Sequence, residues 1–133
     1  MSPRFLLDTN ILIRWLTEPK KLSRDQKRVV ETASARGEPL ALSAMTLLEI
    51  AILVVDEDIK ISSSLADFLA WIEASPTFRI MPLTADIAIE AAAFRPLRDP
   101  ADRAIAATAR VHRLKLVTSD QRIIDSQLVP VIE

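Results

Sequence analysis

Phe5-Leu6-Leu7-Asp8-Thr9-Asn10 is an apolar run that ends abruptly in an acid followed by two more oxygen-bearing side chains. A short apolar run bounded in this way reads as a buried strand whose C-terminal end delivers a side chain into a cleft. Beyond it, Ile11, Leu12, Trp15 and Leu16 stand at helical spacing and Pro19 ends the helix, so the stretch opens a strand–helix unit. Asp8 is either the cap of that helix or a working carboxylate, and taken alone it fits both roles.

The same alternation continues along the chain. Ser23 caps a second helix to about Ala35, with Val29, Val30 and Ala33 inward, and Gly37 closes it. Pro39 to Leu42 makes a short buried strand, and Ser43 caps a helix apolar on every side from Met45 to Val55, which must be buried in the core or against another chain. Ser62 to Glu73 has the spacing of an amphipathic helix, Phe78 to Met81 a strand, and Thr84 to Arg95 a helix stopped by Pro96. An alanine-rich helix then runs from Asp99 to about Arg113, Leu114 to Thr118 forms a strand with Asp120 just after it, and Val129 to Ile132 adds an edge strand. Short apolar strands alternating with helices, with no hairpin signals, predict an α/β sandwich with a mainly parallel central sheet flanked by helices. In such folds ligands sit beyond the carboxyl ends of the strands, where Asp8 and Asp120 both fall.

Composition narrows the chemistry. The 133 residues fit one domain, and 50% hydrophobic content supplies its core. With no Cys and one His there are no thiolate or His-cluster metal sites, so any metal is held by oxygen. A single glycine excludes the Gly-rich turns that cradle dinucleotides or nucleoside triphosphates. The net charge of −1 supplies no global field for nucleic acid. The exposed basic run Lys20, Lys21, Arg24, Lys27 and Arg28 reads as a solvated helix face that could also line an RNA path. No secretory signal and no run near the roughly 20 residues of a membrane span is present, which predicts a cytoplasmic protein with no membrane association. His112 reads as a helix-terminus side chain, and Trp15 and Trp71 as core residues.

The acids carry the functional signal. Glu49 is the only ionisable residue between Ser43 and Val55, and an unpaired buried carboxylate there would cost several kcal/mol, so it requires a cation, a partner or a cleft. A salt bridge to a distant Arg would also satisfy it. Asp99 before Pro100 reads first as an N-cap, with Asp102 close to completing a capping box and Arg103 placed for an ion pair with Asp99. Asp102 itself shares a stripe with Ile105, Ala106 and Ala109, which aims it at the strand ends. Asp120 is placed to cap a short helical turn. Four acids from four segments, gathered without basic partners, make sense chiefly around a hard divalent cation such as Mg²⁺ or Mn²⁺.

Taken in order, Leu6 to Asn10, Ser43 to Ile50, Asp99 to Ala109 and Leu116 to Asp120 resemble the motifs of the PIN-domain ribonucleases, and within them the toxins of VapBC-type toxin–antitoxin pairs. The resemblance spans almost the whole chain. It implies one PIN domain over residues 1–133, with a PIN-like three-layer sandwich. It also implies a Mg²⁺-dependent endoribonuclease, with Mn²⁺ as an alternative ion, that leaves 5′-phosphate and 3′-hydroxyl ends. Carried onto this chain, the catalytic metal ligands are Asp8, Glu49 and Asp102, with Asp120 in a fourth position. Asn10 and Thr118 match positions that orient these acids, and Asp99 and Arg103 belong to the same motif. The implied partners are an RNA substrate, a cognate antitoxin and a second copy in a homodimer. The competing expectation keeps the fold without the activity: a PIN-like interaction module whose acidic cleft binds a basic partner segment.

Overall fold

The computed structural model describes residues 1–133. Five strands form one sheet: β1 (Phe5–Leu7), β2 (Leu40–Ser43), β3 (Phe78–Met81), β4 (Lys115–Val117) and β5 (Val131–Ile132). They lie in the order β3-β2-β1-β4-β5, and every pairing is parallel. The sheet grows outward from β1 on both sides, so the strand order reverses between β1 and β4. That reversal opens a crevice at the carboxyl ends of these two strands.

The period-two alternation of side chains sorts the core into two halves, one per sheet face. Leu6, Ala41 and Leu116 point to one face and pack with Ile87 of α5 (Ala85–Ala93), with Phe94 just after that helix, and with Ile105, Ala106 and Ala109 of α6 (Pro100–Val111). Leu7, Leu42 and Val117 point to the other, against α1 (Thr9–Thr17), α2 (Arg24–Ala35), α3 (Ala44–Val55) and α4 (Leu65–Ala74). The result is the three-layer sandwich with a central sheet expected from sequence, its sheet parallel throughout. A short α7 (Gln121–Ser126) follows β4. The alanines of α6 let that helix approach the sheet closely, and Ala104 to Ala109 are all buried.

Helix ends follow local chemistry. Ser23 accepts from the Gln26 amide while the Gln26 side chain accepts from the Ser23 amide, a complete capping box on α2. At the other end Glu38 N–H bonds to Ala33 O (2.9 Å) and Gly37 N–H to Ser34 O (3.1 Å), the double bond pattern of a Schellman cap, with Gly37 at φ +68°.

Several expectations need correction. Helix α4 starts at Leu65, because Ser64 supplies the capping oxygen to the Asp67 amide (3.1 Å), and not at Ser62. Trp71 is not a core residue: α4 spends Phe68, Leu69 and Ile72 on the sheet, and half of Trp71 remains exposed, stacked on Phe68 and edge-on to Phe78. Helix α6 ends at Val111, two residues early, with Arg113 in a left-handed turn at φ +55°. The apolar helix α3 is not wrapped in the core. Its Leu47, Ile50 and Val54 pack against the sheet, but Leu48, Ile52 and Val55 are 52%, 50% and 71% exposed.

A methyl group at Gly37 would meet nothing within 4 Å, so its left-handed backbone is the only obstacle to a side chain there. Gly37→Ala should therefore destabilise the protein by about 1–2 kcal/mol, the strain of a left-handed non-glycine residue, read as a lowered midpoint in urea unfolding with an unchanged slope.

Candidate metal centre

Each acid reaches the β1–β4 crevice by its own route. Asp8 follows β1 directly, and its amide bonds to Val117 O (3.0 Å), which holds it beside the end of β4. It is only 6% exposed. One carboxylate oxygen accepts from Thr9 N–H (2.9 Å) and the other from the Thr118 hydroxyl (2.8 Å). Thr118 Oγ1 in turn accepts from the Asp120 amide (3.0 Å), so one buried hydroxyl sets the positions of two acids. Asn10 differs: it is exposed on the cleft wall and forms no side-chain hydrogen bond to an acid.

Glu49 comes from the second turn of α3 and answers its own isolation without an Arg. The Thr9 hydroxyl donates to Glu49 Oε1 (2.5 Å) and lies 3.0 Å from Thr46 Oγ1. Because the single Thr9 proton is spent on Glu49, Thr46 is the donor of the second bond. This Thr46–Thr9–Glu49 chain ties α3 to α1 within the buried cleft floor.

Asp102, on the first turn of α6, is 9% exposed and points into the crevice, as its stripe predicted. Asp99 stands at the N-cap position of α6, but its side chain makes no capping bond, which overturns the cap reading. Instead the exposed Asp99 carboxylate lines the cleft with Thr9, Asn10 and Glu49, close enough for its charge to act on both Glu49 and Asp102. Arg103 does not pair with Asp99. Its guanidinium turns back to the carbonyl of Leu97, anchoring the loop before α6.

Asp120 does cap α7, accepting from Arg122 N–H (2.9 Å), so its capping role and its place in the cleft coexist. The residue that the sequence reading overlooked is Arg122. Its guanidinium forks onto both Asp120 oxygens (3.2 and 2.9 Å) and reaches Asp102 Oδ2 at 3.5 Å, making it the one cation paired with the cluster. An Arg two residues after a strand-end Asp was the available signal. Gln26 was also missed: from the capping box of α2 its buried amide bonds to Thr118 O (3.2 Å) and Ser119 Oγ (2.8 Å), bracing the turn that carries Asp120.

The electrostatics follow from this crowding. Burial raises the Asp8 pKa against the pull of its two hydrogen bonds, and burial with the charges of Asp8 and Asp99 raises that of Glu49. Burial, joined by the charges of Asp99, Asp8 and Asp120, pushes Asp102 up to about 7. Asp120 moves the other way, held down by its hydrogen bond to Arg122. A carboxyl whose pKa is raised by burial and by neighbouring acids is suited to a hard divalent ion, which offsets the repulsion the proton otherwise relieves. No three acidic side chains converge as a ligand set for one ion. A divalent ion bound here would therefore touch one or two of these carboxylates directly and reach the others through water.

These shifts have a definite sign. The folded protein holds a proton on Asp102 that the unfolded chain, with a carboxyl near 3.8, has lost, so stability of the metal-free protein falls as pH rises from about 4 to about 7 and then levels. Asp102→Asn should flatten that part of the profile, measured as melting temperature against pH in chelator. Asp99→Ala removes no cap bond and should change stability by no more than about 0.5 kcal/mol, the range of ordinary surface substitutions, checked by urea unfolding.

A family model described as PIN domain matches residues 5–126. Ribonuclease VapC22 of Mycobacterium tuberculosis is 34% identical over 119 residues, covering 89% of this chain and 88% of the relative. Among solved structures, a toxin–antitoxin complex from Klebsiella pneumoniae matches with a TM-score of 0.62 at 28% identity over 96% of this chain and 95% of that one. DNA-bound VapBC from Salmonella typhimurium matches at 0.70 and 19% identity, over 99% and 98% of the two chains, which shows likeness of fold. With a PIN-domain model matching residues 5–126 and a VapC relative 34% identical over 89% of this sequence, the chain is a VapC-like member of the PIN-domain family.

Proposed function

We propose that this chain is a divalent-metal-dependent endoribonuclease and the toxin of a toxin–antitoxin pair. The observation that carries the proposal is the convergence of Asp8, Glu49, Asp102 and Asp120 on one crevice, with a single arginine for counter-charge. Asp8, Glu49, Asp102 and Asp120 would together hold Mg²⁺ or Mn²⁺, one or two of them directly and the others through waters of the ion's shell. The ion, when bound, supplies Lewis-acid activation of water and charge neutralisation at the phosphate. The chain's own residues do the positioning: Thr118 and the Thr9 amide aim Asp8, the Thr9 hydroxyl aims Glu49, and α6 presents Asp102 from the opposite wall. With no Cys and the one His exposed on the turn after α6, hydrolysis by an activated water needs nothing else from the side-chain inventory.

Partner binding has support of its own. The Klebsiella pneumoniae relative is a toxin–antitoxin complex, and here the exposed Leu48 and Ile52 form an apolar wall of the same cleft, about 440 Å³ in volume, that Glu49 and Asp99 line. An antitoxin segment lying there would cover both the apolar wall and the cleft. The open face of α3 also provides burial area for a homodimer.

Purified wild-type protein should cleave RNA in Mg²⁺ or Mn²⁺ and lose the activity in chelator. Asp8→Asn and Glu49→Gln should each lower cleavage by at least about 100-fold, the scale of removing one charge-stabilising group, with Glu49→Gln melting no earlier than wild type, because it replaces a carboxylate of raised pKa with a neutral isostere that still accepts from Thr9. Undiminished cleavage by either variant would sink the assignment.

A further inference from the structure

Two clefts flank the acid cluster, and they differ in charge. The larger, bordered by Thr9, Asn10, Glu49 and Asp99 with the apolar wall of α3, has no Lys or Arg in its lining. The smaller, about 180 Å³, is lined by Pro96, Leu97, Arg98, Asp102 and Arg122 alone, so two arginines share its wall with a carboxylate of the proposed metal centre. A polyanion entering the cleft meets only acids on the first side and two guanidinium groups on the second.

Both arginines are mounted on braced backbone. Arg98 follows Leu97, whose side chain is buried, whose amide bonds to Phe94 O (3.1 Å), and whose carbonyl accepts from the Arg103 guanidinium. The motif residue Arg103 thereby acts on the placement of Arg98. Arg122 is fixed at its amide by the Asp120 cap, yet its side chain is 73% exposed and leans on Asp120 and Asp102 only through its charged end. Arg98 forms no ion pair.

We propose that Arg98 and Arg122 form a two-arginine seat for a phosphate of the RNA strand on the Asp102 side of the cleft, with Arg122 resting on Asp120 and Asp102 until a divalent cation takes over those carboxylates. The inference rests on the nuclease reading above and deepens it by fixing which wall holds the backbone of the substrate. Planar guanidinium groups match phosphate oxygens in pairs, and their low hydration makes them better suited than ammonium groups to such a seat. Arg122 therefore has two successive partners of the same charge: the empty carboxylate pair, then the phosphate. Release from the first requires the cation, so metal binding and substrate binding are linked through one side chain.

The test uses the full chain and a fluorogenic 12-nucleotide single-stranded RNA in Mn²⁺, with wild type, Arg98→Gln, Arg122→Gln, Arg122→Lys and Arg95→Gln. The first two glutamine variants should each raise KM about tenfold with kcat nearly unchanged, and each should flatten the salt dependence of kcat/KM by about 0.7 in log–log slope, the value for one phosphate contact on a single strand. Arg122→Lys should recover part of the KM loss, and Arg95→Gln, whose side chain lines neither cleft, should behave as wild type. In a separate titration without RNA, Mn²⁺ should bind Arg122→Gln several-fold more tightly than wild type and bind Arg98→Gln equally well. Unchanged KM and salt slope in both variants, or a loss confined to kcat with weaker Mn²⁺ binding in Arg122→Gln, would overturn the seat and leave Arg122 as an orienting partner of Asp120. Wild-type protein that cleaves no RNA in Mn²⁺ would instead bring down the nuclease reading, and the seat with it.

Discussion

Crowding of like charge at the ends of two parallel strands is the constraint on which this structure turns. Asp8 lies almost wholly buried and Asp102 nearly so, with Glu49, Asp99 and Asp120 around the same crevice and only Arg122 to oppose them. Such an arrangement is unfavourable for folding by itself, since burial and mutual repulsion both disfavour the ionised forms. It persists because the sheet and helices on either side bury enough apolar surface to hold the strand ends in place. Stability resides in the two core halves, and the crevice proposed as the functional site lies at the strand ends outside them, where open parallel sheets place their ligands.

Hydroxyl groups, more than charges, give the cleft its order. Thr118 links Asp8 to the turn carrying Asp120, and the Thr46–Thr9 pair fixes Glu49. Neutral donors orient a carboxylate without cancelling its charge, so the acids stay available to a cation. A lysine or arginine bound equally tightly to each acid would have organised the same geometry and abolished its use. Arg122 is the exception, and its exposed position lets it leave.

Asp99 and Asp120 show how far local sequence rules reach. Both precede a helix, and Asp99-Pro100 has the stronger cap signature, yet Asp120 makes the cap bond and Asp99 does not. Backbone preference selected the helix starts at Pro100 and Gln121, while the side-chain direction of Asp99 was left to its surroundings in the cleft. Arg103 diverged for a related reason: a four-residue spacing permits an ion pair, but the unpaired carbonyl of Leu97, in the loop that packs down beside α6, is the partner it takes. Exposed faces were equally illegible. Trp71 and the outer side of α3 are apolar in a way that reads as core, and only the placement of α4 and α3 at the margin of the sheet leaves them uncovered.

What the sequence determined by itself was the alternation of strands and helices, the two-faced burial of residues such as Leu6 and Leu7, and the delivery of Asp8 and Asp120 to strand ends. Those properties depend on residue spacing along the chain, with periods of two and about 3.6 that near neighbours specify. The tertiary structure decided which acids meet, that Thr9 and Thr46 hold Glu49, that Gln26 braces the turn after β4, and that Arg122 stands between Asp120 and Asp102. These contacts join residues far apart in the chain, such as Asp8 and Thr118, and arise only once the strand order β3-β2-β1-β4-β5 has placed the ends of β1 and β4 side by side.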